Sequence, residues 1–178
     1  RLVRLLQHVL DESEFLSPGG IRSLSKRHEE PYSISIEGED YSINYEPGES
    51  NTSMFGGNSN WRGPVWFPTN YLLIESLREY YKYYGDDLKL EFPSRSGNKL
   101  NLSQIADKIS NRLIGIFTTN ESGDRPVNEG NPIYKEPYFR DNILFFEYFH
   151  GDNSRGVGAS HQTGWTGIVA KLINKYKE

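Results

Sequence analysis

One carboxylate, Glu147, stands inside a ring-rich run, RDNILFFEYFHGDN, that spans residues 140–153. Its neighbours Phe145, Phe146, Tyr148 and Phe149 keep water from it on at least one side. A partly desolvated carboxylate has a raised pKa, which suits a group that must accept a proton near neutral pH. Aromatic rings beside it suit the face of a pyranose, so the pairing points to sugar chemistry. The competing reading is a salt bridge from Glu147 to Arg140 or Arg62, common on surfaces and worth little there. If residues 139–149 form a helix, Asp141 lies about 240° around and about 9 Å along from Glu147, a poor partner for it. Glycoside hydrolysis generally uses two carboxyl groups. The chain offers one good candidate and no convincing second.

Two further stretches carry groups of the right kind. In GGNSNWRGPVWFPTNYLL, residues 56–73, Trp61 and Trp66 bracket Arg-Gly-Pro-Val just ahead of a helix. Indoles in a loop punctuated by Gly and Pro can form a platform, and Arg62 can grip a carboxylate with two nitrogens, fixing a loop or orienting a catalytic acid. The structural reading, which composition alone favours, is that both rings plug the base of the domain while Arg62 bridges two helices. In GVGASHQTGWTGIVAKL, residues 156–172, small residues allow a close backbone approach, and His161, Gln162, Thr163 and Trp165 sit where a helix begins. Free amides at a helix start favour an anionic or hydroxyl-rich neighbour. The alternative is a tight helix entry that His161 caps. Other chemistries find no support: there is no phosphate-binding loop, no nucleophile elbow and no HExxH metal motif. His8, His28, His150 and His161 show no ligand spacing, and HGDNS at His150 begins like a calcium loop but lacks the remaining ligands.

These groups need elements to hold them. Apolar residues Leu2, Leu5, Leu6, Val9 and Leu10 recur at helical spacing in RLVRLLQHVLDESEFL, and SPGG stops that helix. Residues 33–45 alternate as a short hairpin or an extended loop. A helix is predicted from Thr69 to Tyr84, after Pro68 and before Gly85. The clearest amphipathic helix is NLSQIADKISNRLIGIF, with Leu102, Ile105, Ile109, Leu113 and Ile116 on one face and Asn101 as its cap. Helices are also predicted over 139–149 and 164–176. About five helices joined by long connections, 25–63 and 118–137, read as all-α, one domain or part of one. Long loops of mixed composition are usually functional surfaces.

Composition narrows the classes. The chain has 178 residues, 35% hydrophobic and 25% charged, with a net charge of -4. That is enough for one ordinary core, and it gives no electrostatic case for nucleic acid or an anionic membrane as partner. No apolar run approaches the roughly 20 residues of a membrane-spanning helix. Aromatic content is 13%, with 12 Tyr against one Met. The absence of Cys removes disulfides, thiolate nucleophiles and Cys-based zinc sites, and leaves the compartment open, the cytoplasm being favoured. Sequons at Asn51, Asn101 and Asn120 are expected by chance in so Asn- and Ser-rich a chain.

Three blocks resemble the C-terminal region of glycoside hydrolase family 63, the family of processing α-glucosidase I and its microbial relatives. They are GIRSLSKRHE (20–29), the stretch from Tyr32 through WRGPVWFPTNYLL, and FFEYFHGDNSRGVGASHQTGWTGIVAKL. The resemblance implies an (α/α)6 toroid, of which five helices would be the C-terminal half, and hydrolysis of α-glycosidic bonds with inversion through two carboxyl groups, with no cofactor and no metal. It implies that Glu147 matches the family's general base on a late helix, and that Trp61, Arg62, Trp66 and Trp165 match the sugar-pocket lining. Tyr148, His161 and Gln162 complete the candidate substrate-binding set. No residue matches the family's general-acid Asp, which belongs to an upstream motif. Residues 1–178 are therefore expected to be the C-terminal portion of a glycosidase catalytic domain, a fragment whose partners are an oligosaccharide or small α-glycoside and the missing N-terminal part of the same protein. The isolated piece is expected to be inactive. An α-mannoside substrate, a trehalase-like enzyme and a non-catalytic carbohydrate-binding or scaffold domain are the alternatives.

Overall fold

The centre of the molecule forms around the strongest helical pattern in the chain. A computed structural model describes residues 1–52, 59–129 and 131–174. Helix α3, Leu102–Gly115, follows α2, Phe67–Tyr84, and the two pack along each other. All five predicted face residues, Leu102, Ile105, Ile109, Leu113 and Ile116, are buried. The Asn101 side chain accepts from the Gln104 amide at 2.8 Å while the Gln104 side chain accepts from the Asn101 amide at 3.0 Å, a reciprocal cap. Asn101 also donates to Asp86 at 2.7 Å. On α2, Phe67, Ile74 and Leu77 face the core, and Leu72 points outward.

Helix α1 is shorter than its apolar pattern. It covers Leu2–Val9 and buries Leu6, with Leu10 buried just past its end. Asp11 then accepts from the Ser13 amide at 2.9 Å and the Ser13 hydroxyl at 2.7 Å, a local turn that competes with further helix. SPGG is a hairpin turn: β1, Leu16–Ser17, pairs antiparallel with β2, Gly20–Ile21. Asn70 of α2 clamps this hairpin, accepting from the Ile21 amide at 2.7 Å and donating to its carbonyl at 2.9 Å.

The expected all-α half-toroid is not what this sequence forms. Among the described residues helix makes up 38% and strand 17%, the strands lying in four two-stranded antiparallel sheets. The alternating stretch is a true hairpin, β3, Tyr32–Ile36, with β4, Glu39–Ile43, closed by Glu37 and Gly38 at positive φ. Another hairpin, β5, Lys89–Glu91, with β6, Lys99–Asn101, was not anticipated. The predicted helix over 139–149 is absent. Turns lead into β7, Tyr148–Phe149, which pairs with β8, Gly156–Val157. A short apolar run fits a buried strand as well as a buried helix, and here the ladder partner decides. The helical argument against Asp141 as a partner of Glu147 lapses with the helix. Finally, the predicted helix over 164–176 is broken near Gly167 into α4, Thr163–Thr166, and α5, Val169–Asn174, its last predicted residues lying outside the described ones.

Candidate functional site

Glu147 is placed by an extended segment held on both sides. On one side, Val65 and Phe149 exchange backbone hydrogen bonds of 2.8 and 2.9 Å. On the other, the Glu147 amide donates to the Ala159 carbonyl at 2.8 Å, and the Gln162 amide donates to the Phe145 carbonyl at 2.7 Å. Phe149 is buried in the main core with Phe145 packed against it, whereas Tyr148 belongs to a separate cluster with Trp66 and Val157.

The Glu147 carboxylate is half-buried. Ser59 donates its hydroxyl to Oε1 at 2.6 Å, and the Ala159 amide reaches Oε2 at a long 3.4 Å. Gly158 has φ +73°, and a Cβ there would lie 2.7 Å from Tyr148 Cε1 and 2.9 Å from Glu147 Oε2. Glycine is required on both counts. Arg140 pairs with Asp141 at 3.5 Å and Arg62 with Glu46, so neither arginine neutralises Glu147.

All three tryptophans of the chain meet beside this carboxylate's segment. Trp61 stacks on Trp66 with centroids 4.0 Å apart and planes 3° from parallel. Tyr148 stacks at 4.7 Å, and Trp165 tilts against Trp66 at 5.4 Å and 48°. Trp66 is fully buried at the middle, while Trp61 and Trp165 are 38% and 40% exposed, so the outer indoles keep open surface. Such faces can stack on a sugar ring. Burial, with the charges of Glu147 and Glu49, pushes the Tyr148 phenol up to about 12, so it remains a neutral hydroxyl at working pH.

A buried polar lock sets the loop. Asn60 donates to the Glu46 and Gly48 carbonyls at 2.7 and 2.8 Å, accepts from the Arg62 amide at 2.9 Å, and its carbonyl takes the Trp66 indole N–H at 2.9 Å. Arg62, 2% exposed, donates Nη2 to the Glu46 carboxylate and to Ser50 Oγ. Ser59 and Trp61 flank Asn60, so this lock fixes both the carboxylate's donor and the outer indole. A second knot ties the distant blocks together. Buried Arg22 donates to Tyr45 Oη at 3.0 Å, to the Gly151 and Glu14 carbonyls at 3.1 and 3.2 Å, and to Asp152 at 3.1 Å. Tyr45 and Lys26 also donate to Asp152, at 3.0 and 3.3 Å. Burial alone would raise the Asp152 pKa, but the Tyr45 hydroxyl, Lys26 and Arg22 outweigh it and hold the carboxyl below its ordinary 3.8. HGDNS is thus the turn between β7 and β8, with its aspartate committed to cations of the chain.

The sequence pattern of the Glycosyl hydrolase family 63 C-terminal domain matches residues 1–94. The chain belongs to glycoside hydrolase family 63. Relatives include the uncharacterized protein YMR196W of Saccharomyces cerevisiae, 52% identical over 178 residues, covering 98% of this chain and 16% of that protein. A mannosyl-oligosaccharide glucosidase of the same yeast is 27% identical over 123 residues, 68% of this chain and 12% of that protein. A probable mannosyl-oligosaccharide glucosidase of Schizosaccharomyces pombe is 26% identical over 176 residues, 98% of this chain and 15% of that protein. The chain thus spans about a sixth or less of the curated relatives it matches. Glu147 lies beyond the matched 1–94.

Set against the candidates, this family-63 chain brings Trp61, Trp66, Tyr148 and Trp165 into one cluster beside Glu147. Arg62 lies beneath it, fixing the loop rather than facing solvent. Gln162 is half-buried where α4 begins and His161 is exposed beside it, bridged through its backbone to Phe145. Gly56 to Asn58 of the Trp-bearing stretch lie outside the described residues. Residue types alone did not single out Ser59, Asn60, Glu46 or Gly158. Asn60 beside Trp61 was legible only as loop punctuation, and nothing in the local sequence ties Ser59 to a residue 88 positions away.

Proposed function

We propose that residues 1–178 are the C-terminal portion of a glycosidase catalytic domain and that Glu147 is its general base for inverting hydrolysis of an α-glucosidic bond. In that reaction Glu147 takes a proton from water as the water oxygen attacks the anomeric carbon. The bond to the leaving oxygen breaks as a general acid, supplied from outside these residues, protonates it. The observation that carries the reading is the half-buried carboxylate held through one oxygen by Ser59, on the segment that stacks Tyr148 under the tryptophans. Family membership supports the reaction class, and the two mannosyl-oligosaccharide glucosidases among its relatives favour a glucosylated oligosaccharide as substrate. Trp61 and Trp165 would contact the sugar, with His161 and Gln162 at the rim. Trp66, Tyr148 and Arg62 would act by holding them. With one carboxylate of the pair, the isolated chain would not turn substrate over.

The test uses the longest polypeptide that contains this chain, with and without Glu147→Gln, on a panel of α-linked glucosyl and mannosyl substrates, following the product anomer by NMR. The expected result is a β-anomeric sugar from the parent and none from a folded variant. Full activity in the variant would make Glu147 structural. Sugar binding without turnover in the parent would favour a non-catalytic binding domain.

A further inference from the structure

The hairpin of β3 and β4 has an apolar face that is left largely open among the described residues, only Ile43 at its root being half-buried. Its register places Ile34 opposite Tyr41 and Tyr32 opposite Ile43, with Ile36 next toward the tip, where Glu39 lies opposite it and borders the face. Directly opposed residues share a face, so these five side chains form one apolar surface. Tyr32, Ile34, Ile36 and Tyr41 are 59%, 46%, 52% and 54% exposed. The other face is polar, with Ser33, Ser35, Asp40 and Ser42. A two-stranded ribbon standing alone is marginally stable in water, and a contiguous exposed apolar patch marks an interaction surface.

The root of the ribbon is anchored. The Tyr45 amide donates to the His28 carbonyl at 2.6 Å, buried Tyr45 sits in the Arg22 and Asp152 knot, and Glu46 holds Arg62. The ribbon therefore presents its face from a fixed base. Its tip carries Glu37, Glu39 and Asp40, which disfavours an anionic membrane as the covering surface. Length points to the occupant. At 52% identity this chain accounts for 16% of one relative, so most of a family-63 polypeptide lies outside these residues and must pack somewhere.

We propose that the Tyr32, Ile34, Ile36, Tyr41 and Ile43 face is an intramolecular docking surface, seated on a part of the same polypeptide outside residues 1–178. The proposal rests on the ribbon and on family membership, and is independent of the role of Glu147. Docking there would also hold the loop of Asn60 and Trp61, because the ribbon's root runs directly into the Glu46 lock.

The test places a photoreactive benzophenone side chain at position 41 in the polypeptide expressed from the complete reading frame. It is irradiated as a mixture of isotopically light and heavy protein, so that cross-links within and between molecules separate by mass. The expected result is a cross-link within one molecule, to residues outside 1–178, with a yield that falls several-fold in the Ile34→Thr background; threonine keeps strand propensity while removing apolar surface. A light–heavy cross-link would make a second copy the occupant and overturn the proposal. So would a cross-link confined to residues 1–178, the absence of any cross-link, or a reading frame that adds no residues.

Discussion

Replacing Arg22 by Met removes the cation that joins three separated segments. The side chain donates to three backbone carbonyls of the 12–16 region, to Gly151, to Tyr45 and to Asp152, and it is 6% exposed. Methionine fills similar volume and supplies none of these donors. Removing one partner of a buried ion pair costs about 3–5 kcal/mol, because the other charge and the freed carbonyls stay behind. Asp152 keeps Lys26 and Tyr45, and its side chain is 31% exposed, so the lower end applies, about 3 kcal/mol. For a chain of this length that is a fall in Tm of roughly 6–12 °C. The assay is urea unfolding read by tryptophan fluorescence, near neutral pH and in mild acid. The sign with pH follows from Asp152, whose folded pKa lies below its ordinary 3.8. Between those two values the unfolded chain binds more protons, so the aspartate's contribution is full above 3.8 and is lost as pH falls through the folded pKa. The gap between wild type and Arg22→Met should therefore narrow on acidification below 3.8, without closing, since the carbonyl bonds do not titrate. A loss under about 1 kcal/mol near neutrality, well short of the buried-pair range, or a gap that widens in acid, would refute the reasoning.

Two other substitutions probe the site. Gly158→Ala should cost about 1–2 kcal/mol for its left-handed backbone. Its new methyl must also displace Tyr148 or the Glu147 carboxylate, so turnover by the longer polypeptide should fall by about tenfold or more, since a misplacement of about 1 Å can cost 10²-fold; unchanged kinetics would sever Gly158 from the site. Trp66→Ala should destabilise the fold by about 3–5 kcal/mol. Trp61→Ala, at the exposed end of the same stack, should cost about 1 kcal/mol while weakening sugar binding, and calorimetric titration with a glucosyl oligosaccharide alongside urea unfolding separates the two effects.

Local physics made part of this molecule readable. The α3 face, the Asn101 cap and the end of α2 at Gly85 each follow from residues within a few positions of one another, and each is where the spacing put it. The same holds for the alternation over residues 33–45, whose hairpin reading prevailed over the extended loop. What escaped was set at long range. The 139–149 run has the composition of a buried helix, but Val65 offers one edge and Ala159 the other, so the segment takes strand hydrogen bonds. That change recasts the site. On a helix Glu147 would share its face with residues three and four positions away, whereas on an extended segment Tyr148 stacks on Trp66 while the Glu147 carboxylate meets Ser59, and the pairing becomes a matter of which loop arrives beside it. The family blocks therefore read as separate motifs in sequence because each supplies one side of a buried contact. Arg22 needs Asp152, Tyr45 needs Asp152, and Val65 needs Phe149. Chemistry-bearing residues are recognisable by type, yet the residues that place them, Asn60, Ser59 and Gly158, carry no chemical signature, since their importance lies in what they touch.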